Sequence, residues 1–133
     1  MELKTAIATI KDTLYVTELQ SGSHTIYADE PVDNGGKDLG PGPGDFLRMS
    51  LASCTAITLR MYANRKKFDV HEIQVEVSTE DVSGKTIFHR EINIKGNLDE
   101  QQHKRMMQIA NACPVHKVLT NPIEIETNLM VNP

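Results

Sequence analysis

The segment that most limits what this chain can become is DFLRMSLASCTAITLRMYANR, residues 45–65. Phe46, Leu47, Leu51, Ala52, Cys54, Ile57, Thr58, Leu59, Met61 and Tyr62 spread around a helix rather than along one stripe of it. A helix apolar on nearly all sides has to be covered on nearly all sides, in the middle of a fold or between subunits. Ala52, Ser53, Ala56 and Ala63 are small and let other backbones approach closely. The rest of the chain must therefore cover a central helix.

Its flanks read as short strands before and a strand–helix–strand series after. TAIATI (5–10), TLYVTEL (13–19) and SHTIYA (23–28) are rich in Thr, Ile, Val and Tyr and are broken at Lys11-Asp12 and Ser21-Gly22, which predicts an antiparallel meander. Residues 29–44, DEPVDNGGKDLGPGPG, concentrate Gly and Pro and predict a long surface loop of the kind that borders sites. HEIQVEVSTE (71–80) and TIFHREINIKG (86–96) alternate apolar and polar residues about a Ser83-Gly84 turn, a hairpin with one wet face. Asp99 with Gln102 three residues on opens a second helix in the manner of a capping box. Pro114 suits the first position of a further short helix, PVHKVL, with Cys113 at or beside its N-cap. IEIETNLM (123–130) alternates like a last strand. Strands, helix, strands, helix, strand is an α+β order with mainly antiparallel sheet, and 133 residues suit a single domain over 1–133.

Composition excludes several classes. With 39% hydrophobic and 24% charged residues the chain is neither disordered nor a membrane span, having no apolar run of about 18 residues. A net charge of −4 with mixed signs argues against nucleic-acid binding. The one basic cluster, Arg65, Lys66 and Lys67, ends the central helix, where cations favour the negative end of the dipole. The N-terminal residues lack a continuous apolar signal segment, so a cytoplasmic protein without membrane partner is expected, and in that compartment a permanent disulfide is disfavoured.

Two cysteines, Cys54 and Cys113, carry the possible chemistry. At a helix N-terminus Cys113 faces unpaired N–H groups that favour a thiolate, and protonated His116 one turn on would favour it further; packing at a helix junction is an equal reading. Cys54 lies mid-helix in apolar surroundings, which raise a thiol pKa, so an inert core thiol is its default unless the fold supplies a cation or base. Cys113 and His116 with Cys54 or His103 make only a sparse metal set, and neither a zinc-ribbon cluster, a nucleophile elbow nor a phosphate or dinucleotide loop is present. No cofactor or metal is expected.

GPGDFLRMSLASCTAITLRMYANRKKFDV (42–70) followed by ACPVHK (112–117) resembles the OsmC/Ohr family, the osmotically inducible protein C and organic hydroperoxide resistance proteins. The resemblance spans nearly the whole chain. It implies an intertwined homodimer with the central helices buried between subunits, and a thiol peroxidase acting on organic hydroperoxides. By that likeness Cys54 is the peroxidatic cysteine, oxidised to a sulfenic acid, and Cys113 resolves it to a disulfide that a cellular dithiol reduces.

The chain departs from the family pattern in one place. Catalytic members activate the peroxidatic thiolate with an arginine from the N-terminal strands or following loop, held by a glutamate upstream of the cysteine. Here Arg48 is the first arginine, and the glutamate position falls near Gly44-Asp45, where Asp45 is the acidic candidate. Arg60, six residues after Cys54, points away from it on the helix and is expected to pair with an acid such as Glu76 or Glu91. The alternative to a peroxidase is therefore a module of the same fold that binds a small apolar molecule at the dimer interface, with its cysteines serving as packing residues or slow redox sensors.

Overall fold

The structure, a computed structural model, describes residues 4–133. The chain forms two compact units, Met1–Met49 and Ser50–Pro133, with an α+β composition.

In the first unit, β1 (Ile7–Thr9), β2 (Thr17–Ser21) and β3 (His24–Ala28) form the expected antiparallel meander in the order β1-β2-β3. The middle strand is shifted from the sequence expectation: residues 13–16 stay outside the ladder and pairing begins at Thr17 opposite Ala28. Residues 29–42 are a loop with one 3-10 turn at Val32–Asn34. Its organiser is Asp29, only 2% exposed, whose carboxylate accepts backbone N–H groups of Glu30 (2.7 Å), Lys37 (3.2 Å) and Leu39 (3.0 Å). A side chain at Gly40 would put its Cβ 2.3 Å from the Tyr27 carbonyl oxygen, so the loop closes against its own strand only with glycine there.

The helix α1 (Pro43–Lys66) begins in the first unit and runs into the second. It ends in a Schellman motif: Phe68 N–H donates to the Ala63 carbonyl at 2.8 Å and Lys67 N–H to Asn64 at 3.2 Å, with Lys67 left-handed at φ 59°. Within the chain α1 buries one stripe, Leu51, Thr55, Leu59, Tyr62 and Ala63. Ile57 and Met61 are exposed, Met61 by 67%. The expectation of cover on nearly all sides is thus not met by a single copy, whose second unit has only one hairpin and two short helices to offer.

That hairpin, β4 (Asp69–Val82) and β5 (Lys85–Asn97), is longer than the pattern suggested and turns at Ser83-Gly84, both left-handed. Ile73, Val75 and Val77 face inward across from Ile94, Ile92 and Arg90. The core closes with α2 (Glu100–Ala110): Leu59, Tyr62, Ala63, Met106 and Ala110 are buried, with Phe68, Val70, Ile73, Ile92, Ile94, Leu98 and Ile109 packed against them. Asp99 caps α2 as expected, accepting Gln102 N–H at 2.7 Å while Gln102 Oε1 accepts Asp99 N–H at 3.0 Å. The short helix α3 (Pro114–Thr120) follows, with Cys113 at its N-cap and Pro114 in its first turn.

Two further expectations fail. Residues 123–130 form no strand and pair with none among the described residues, and Ile125 and Leu129 are 84% and 87% exposed. Arg60 makes no ion pair with Glu76 or Glu91, whose Cα atoms face each other across the hairpin. It donates from Nη1 to the Val70 carbonyl at 3.0 Å, beside the register shift between Val70 and Glu72. No helix among the described residues is long and apolar enough to cross a membrane.

Candidate functional site

The second unit brings Cys54 of α1 and Cys113 of the α3 N-cap together as neighbours, both as free thiols. The two differ in access: Cys113 is wholly buried, whereas Cys54 is half-buried. They also differ in acidity. Burial pushes the Cys54 thiol up, and its interaction with Cys113 pushes it further, against smaller help from the Val115 N–H and the Thr58 side chain. Burial opposes ionisation of Cys113 as well. There it is outweighed by the Cys54 thiol, the backbone N–H groups of His116 and Val115 and the Thr55 hydroxyl, so the Cys113 thiol is lowered. The more acidic thiol of the pair is therefore the hidden one, and the less acidic is the accessible one.

Thr55 and Arg90 complete the surroundings. The Thr55 hydroxyl is fully buried, lies 2.7 Å from the Leu51 carbonyl as its donor, and is 3.9 Å from the Cys113 sulfur. Arg90 comes from the inward face of β5. Its Nη1 donates to Thr55 Oγ1 at 3.0 Å and to the Ala110 carbonyl at 3.3 Å; its Nη2 donates to Asn111 Oδ1 at 2.8 Å and lies 3.3 Å from His116 Nδ1.

Sequence reasoning missed both residues. For Arg90 a signal existed: alternation along Phe88, Arg90, Ile92 and Ile94 sets a cation on the core face of a strand, where it must find acceptors. Thr55 carried no such signal, being one more small residue in a small-residue helix. The other candidates take different places. His116 lies at the site, but burial and then the Arg90 charge hold its imidazole neutral, so its backbone N–H rather than an imidazolium acts on Cys113. Asp45 lies in the first unit, accepts the Gly42 N–H at 2.9 Å and pairs with Arg48. Its carboxylate is held low first by the Arg48 hydrogen bond.

Two grooves of mixed polar and apolar lining lie along the hairpin in the second unit and share Arg90, Ile92 and Met107. One, of about 500 Å³, runs along Leu59, Ile94 and Met106; the other, of about 520 Å³, along Leu51, Phe88, His116 and Leu119. Among the described residues no group of three His, Cys, Asp or Glu side chains is placed to hold a metal ion.

Comparison with known proteins agrees with the fold. A family described as OsmC-like protein matches residues 35–128. A Psychrobacter arcticus protein described in terms of osmotic stress and detoxification response is 28% identical, with 89% of each chain covered and a TM-score of 0.73. An OsmC-like protein of Mycoplasma pneumoniae is 20% identical over 89% of this chain and 87% of that one, with a TM-score of 0.69. An organic hydroperoxide resistance protein of Elizabethkingia anophelis is 19% identical over 93% and 92%, with a TM-score of 0.65. These last two likenesses bear on the fold alone. No curated protein is similar enough in sequence to count as a match.

Proposed function

Because this chain belongs to the OsmC-like protein family, we propose that it is a thiol peroxidase that reduces organic hydroperoxides with Cys54 as attacking and Cys113 as resolving cysteine. The observation that carries this reading is the juxtaposition of a half-buried thiol with a fully buried, more acidic one. The greater access of Cys54, beside a Cys113 that is fully buried, supports Cys54 for the first step. Acidity assigns the base: the Cys113 thiolate takes the Cys54 proton as the Cys54 sulfur attacks the terminal peroxide oxygen. The O–O bond breaks, the alkoxide leaves and is protonated by solvent to the alcohol, and Cys54 is left as a sulfenic acid. Cys113, deprotonated again, attacks that sulfur; hydroxide leaves and is protonated to water, and a disulfide forms. A cellular dithiol restores both thiols by exchange.

An organic hydroperoxide as substrate is supported by the class named for the Elizabethkingia relative. The exposed apolar flank of α1 supports a homodimer, in which a second copy would cover Ile57 and Met61. The test is consumption of cumene hydroperoxide by reduced protein, with a non-reducing mass measurement after one equivalent. Wild type should form the Cys54–Cys113 disulfide, and Cys113→Ser should accumulate a dimedone-reactive sulfenic acid at Cys54. Absence of turnover, or a Cys54→Ser variant as fast as wild type, defeats the proposal in favour of a ligand-binding module.

A further inference from the structure

Arg90 is a guanidinium on the inward face of a strand, half-buried, with acceptors drawn from three different parts of the unit: Thr55 on α1, Ala110 and Asn111 at the end of α2, and His116 on α3. All four are neutral. Among the described residues no carboxylate is a hydrogen-bond partner of Arg90, and the titratable group it touches, His116, has its pKa lowered by burial and then by the Arg90 charge. Hydrogen bonds to neutral acceptors satisfy the N–H groups of a guanidinium but leave its charge without a counterion, which is costly away from water. A group able to become that counterion, the Cys113 sulfur, lies across the Thr55 hydroxyl.

We propose that Arg90 is the positioning cation of the dithiol, acting on Cys113 through Thr55. The Thr55 oxygen already accepts from Arg90, so its single proton is what it has left to offer, and it stands between the Leu51 carbonyl and the Cys113 sulfur. When Cys113 ionises, the hydroxyl turns from the carbonyl toward the sulfur, and the fixed positive charge behind it strengthens that hydrogen bond. The titratable and charged groups facing Cys113 are then Cys54 from α1, Arg90 through Thr55 from β5, and His116 from α3. This assigns to β5 an arginine role, where the chain before Arg48 contains no arginine. The inference rests on the dithiol being the working site of the proposed peroxidase.

The experiment uses no peroxide, so it fails or succeeds separately from that reading. Cys54→Ser leaves Cys113 as the one thiol, and its ionisation is followed by thiolate absorbance at 240 nm against pH in full-length protein. Adding Arg90→Met should raise the Cys113 pKa by about one unit, the effect of removing one nearby opposite charge. Adding Thr55→Val, which keeps the shape and removes the hydroxyl, should raise it by a smaller amount. Arg90→Lys should recover part of the loss, since an ammonium supplies charge without the fork. A titration of the Arg90→Met variant that superimposes on its parent overturns the proposal. So does an unshifted Thr55→Val variant, which also decides the matter if Arg90→Met does not fold.

Discussion

His116 Nδ1 lies 3.3 Å from Nη2 of Arg90 and, since a guanidinium has only donors, it is the imidazole that accepts. His116 is thereby fixed as the neutral tautomer with its proton on Nε2. Burial first, and the Arg90 charge second, lower its pKa from the ordinary value of 6.5. A group whose folded pKa lies below its unfolded one contributes stability that is present above the unfolded pKa and lost as pH falls toward and through the folded one. The urea midpoint should accordingly hold steady from pH 8 to 7 and decline below about pH 6.5. His116→Gln, which retains an acceptor and cannot be protonated, should flatten that decline. Equal slopes in the two proteins between pH 7 and 5 would remove His116 as the cause.

Asp29 makes a second acid-sensitive point, in the first unit. The Leu39 N–H lowers its carboxyl most; burial opposes this, and the N–H groups of Glu30, Lys37 and Tyr15 add to the lowering. Asp29→Asn keeps the size but turns one acceptor oxygen into a donor facing other donors. Hydrogen exchange should accelerate at the Lys37 and Leu39 amides. In wild type the same amides should lose protection only as pH falls below the carboxyl's ordinary 3.8, since the ionised form is the one the loop holds. Unchanged protection in the Asn variant would show that the loop is held by its backbone bonds alone.

Local signals carried most of the fold, and the site lay where they stop. The capping box at Asp99, the Cys113-Pro114 helix start and the Ser83-Gly84 turn each depend on residues within a few positions, so they were legible. The 123–130 alternation was equally clear in sequence, but a strand exists only where another strand pairs with it, and among the described residues this segment pairs with none. The two cysteines and the direction of each thiol's shift were legible in sequence; the contributions of Thr55 and of each thiol to the other were not, because they act across 59 positions of chain. Arg60 shows the same limit. Charge complementarity suggested an acid, whereas the geometry gave it a backbone carbonyl.

The cap at Asp99 predicts a measurable stability loss. Its carboxylate satisfies the Gln102 N–H and the return bond satisfies its own N–H. Asp99→Ala should destabilise the protein by about 1 kcal/mol, the usual cost of losing such a cap. Asp99→Ser should recover most of it. Chemical denaturation reads both, and an Ala variant within error of wild type would mean that α2 is held by Met106 and Ala110 packing alone.

Leu59 tests the core beneath the site. It is fully buried among Tyr62, Ala63, Met106 and Ala110 and also walls one groove. Leu59→Ala should cost about 2–5 kcal/mol, the upper end applying if the cavity stays open and the lower end if it merges with the groove. The denaturant midpoint measures this, and a loss under about 1 kcal/mol would mean the side chain is not held by packing as described.

At the base of the hairpin, the shift of register between Val70 and Glu72 takes the Val70 carbonyl out of the regular ladder, and Arg60 supplies the donor it then needs. Opposite, Gly96 pairs with Val70, and a Cβ there would sit 2.1 Å from the Asp69 carbonyl oxygen. Arg60 and Gly96 thus serve the same irregularity by different physics, one through a charged donor and one through absent volume. Arg60→Met should cost about 1.5–3 kcal/mol, the range for hydrogen bonds to charged groups, toward the lower end because the contact is only partly buried. Gly96→Ala should cost at least as much, because the backbone of β4 has to move to admit a methyl group. Combining the two should give less than the sum, since once the bulge has shifted there is no fixed carbonyl for Arg60 to meet. Additive losses in a double-mutant cycle would mean that the two residues stabilise separate features.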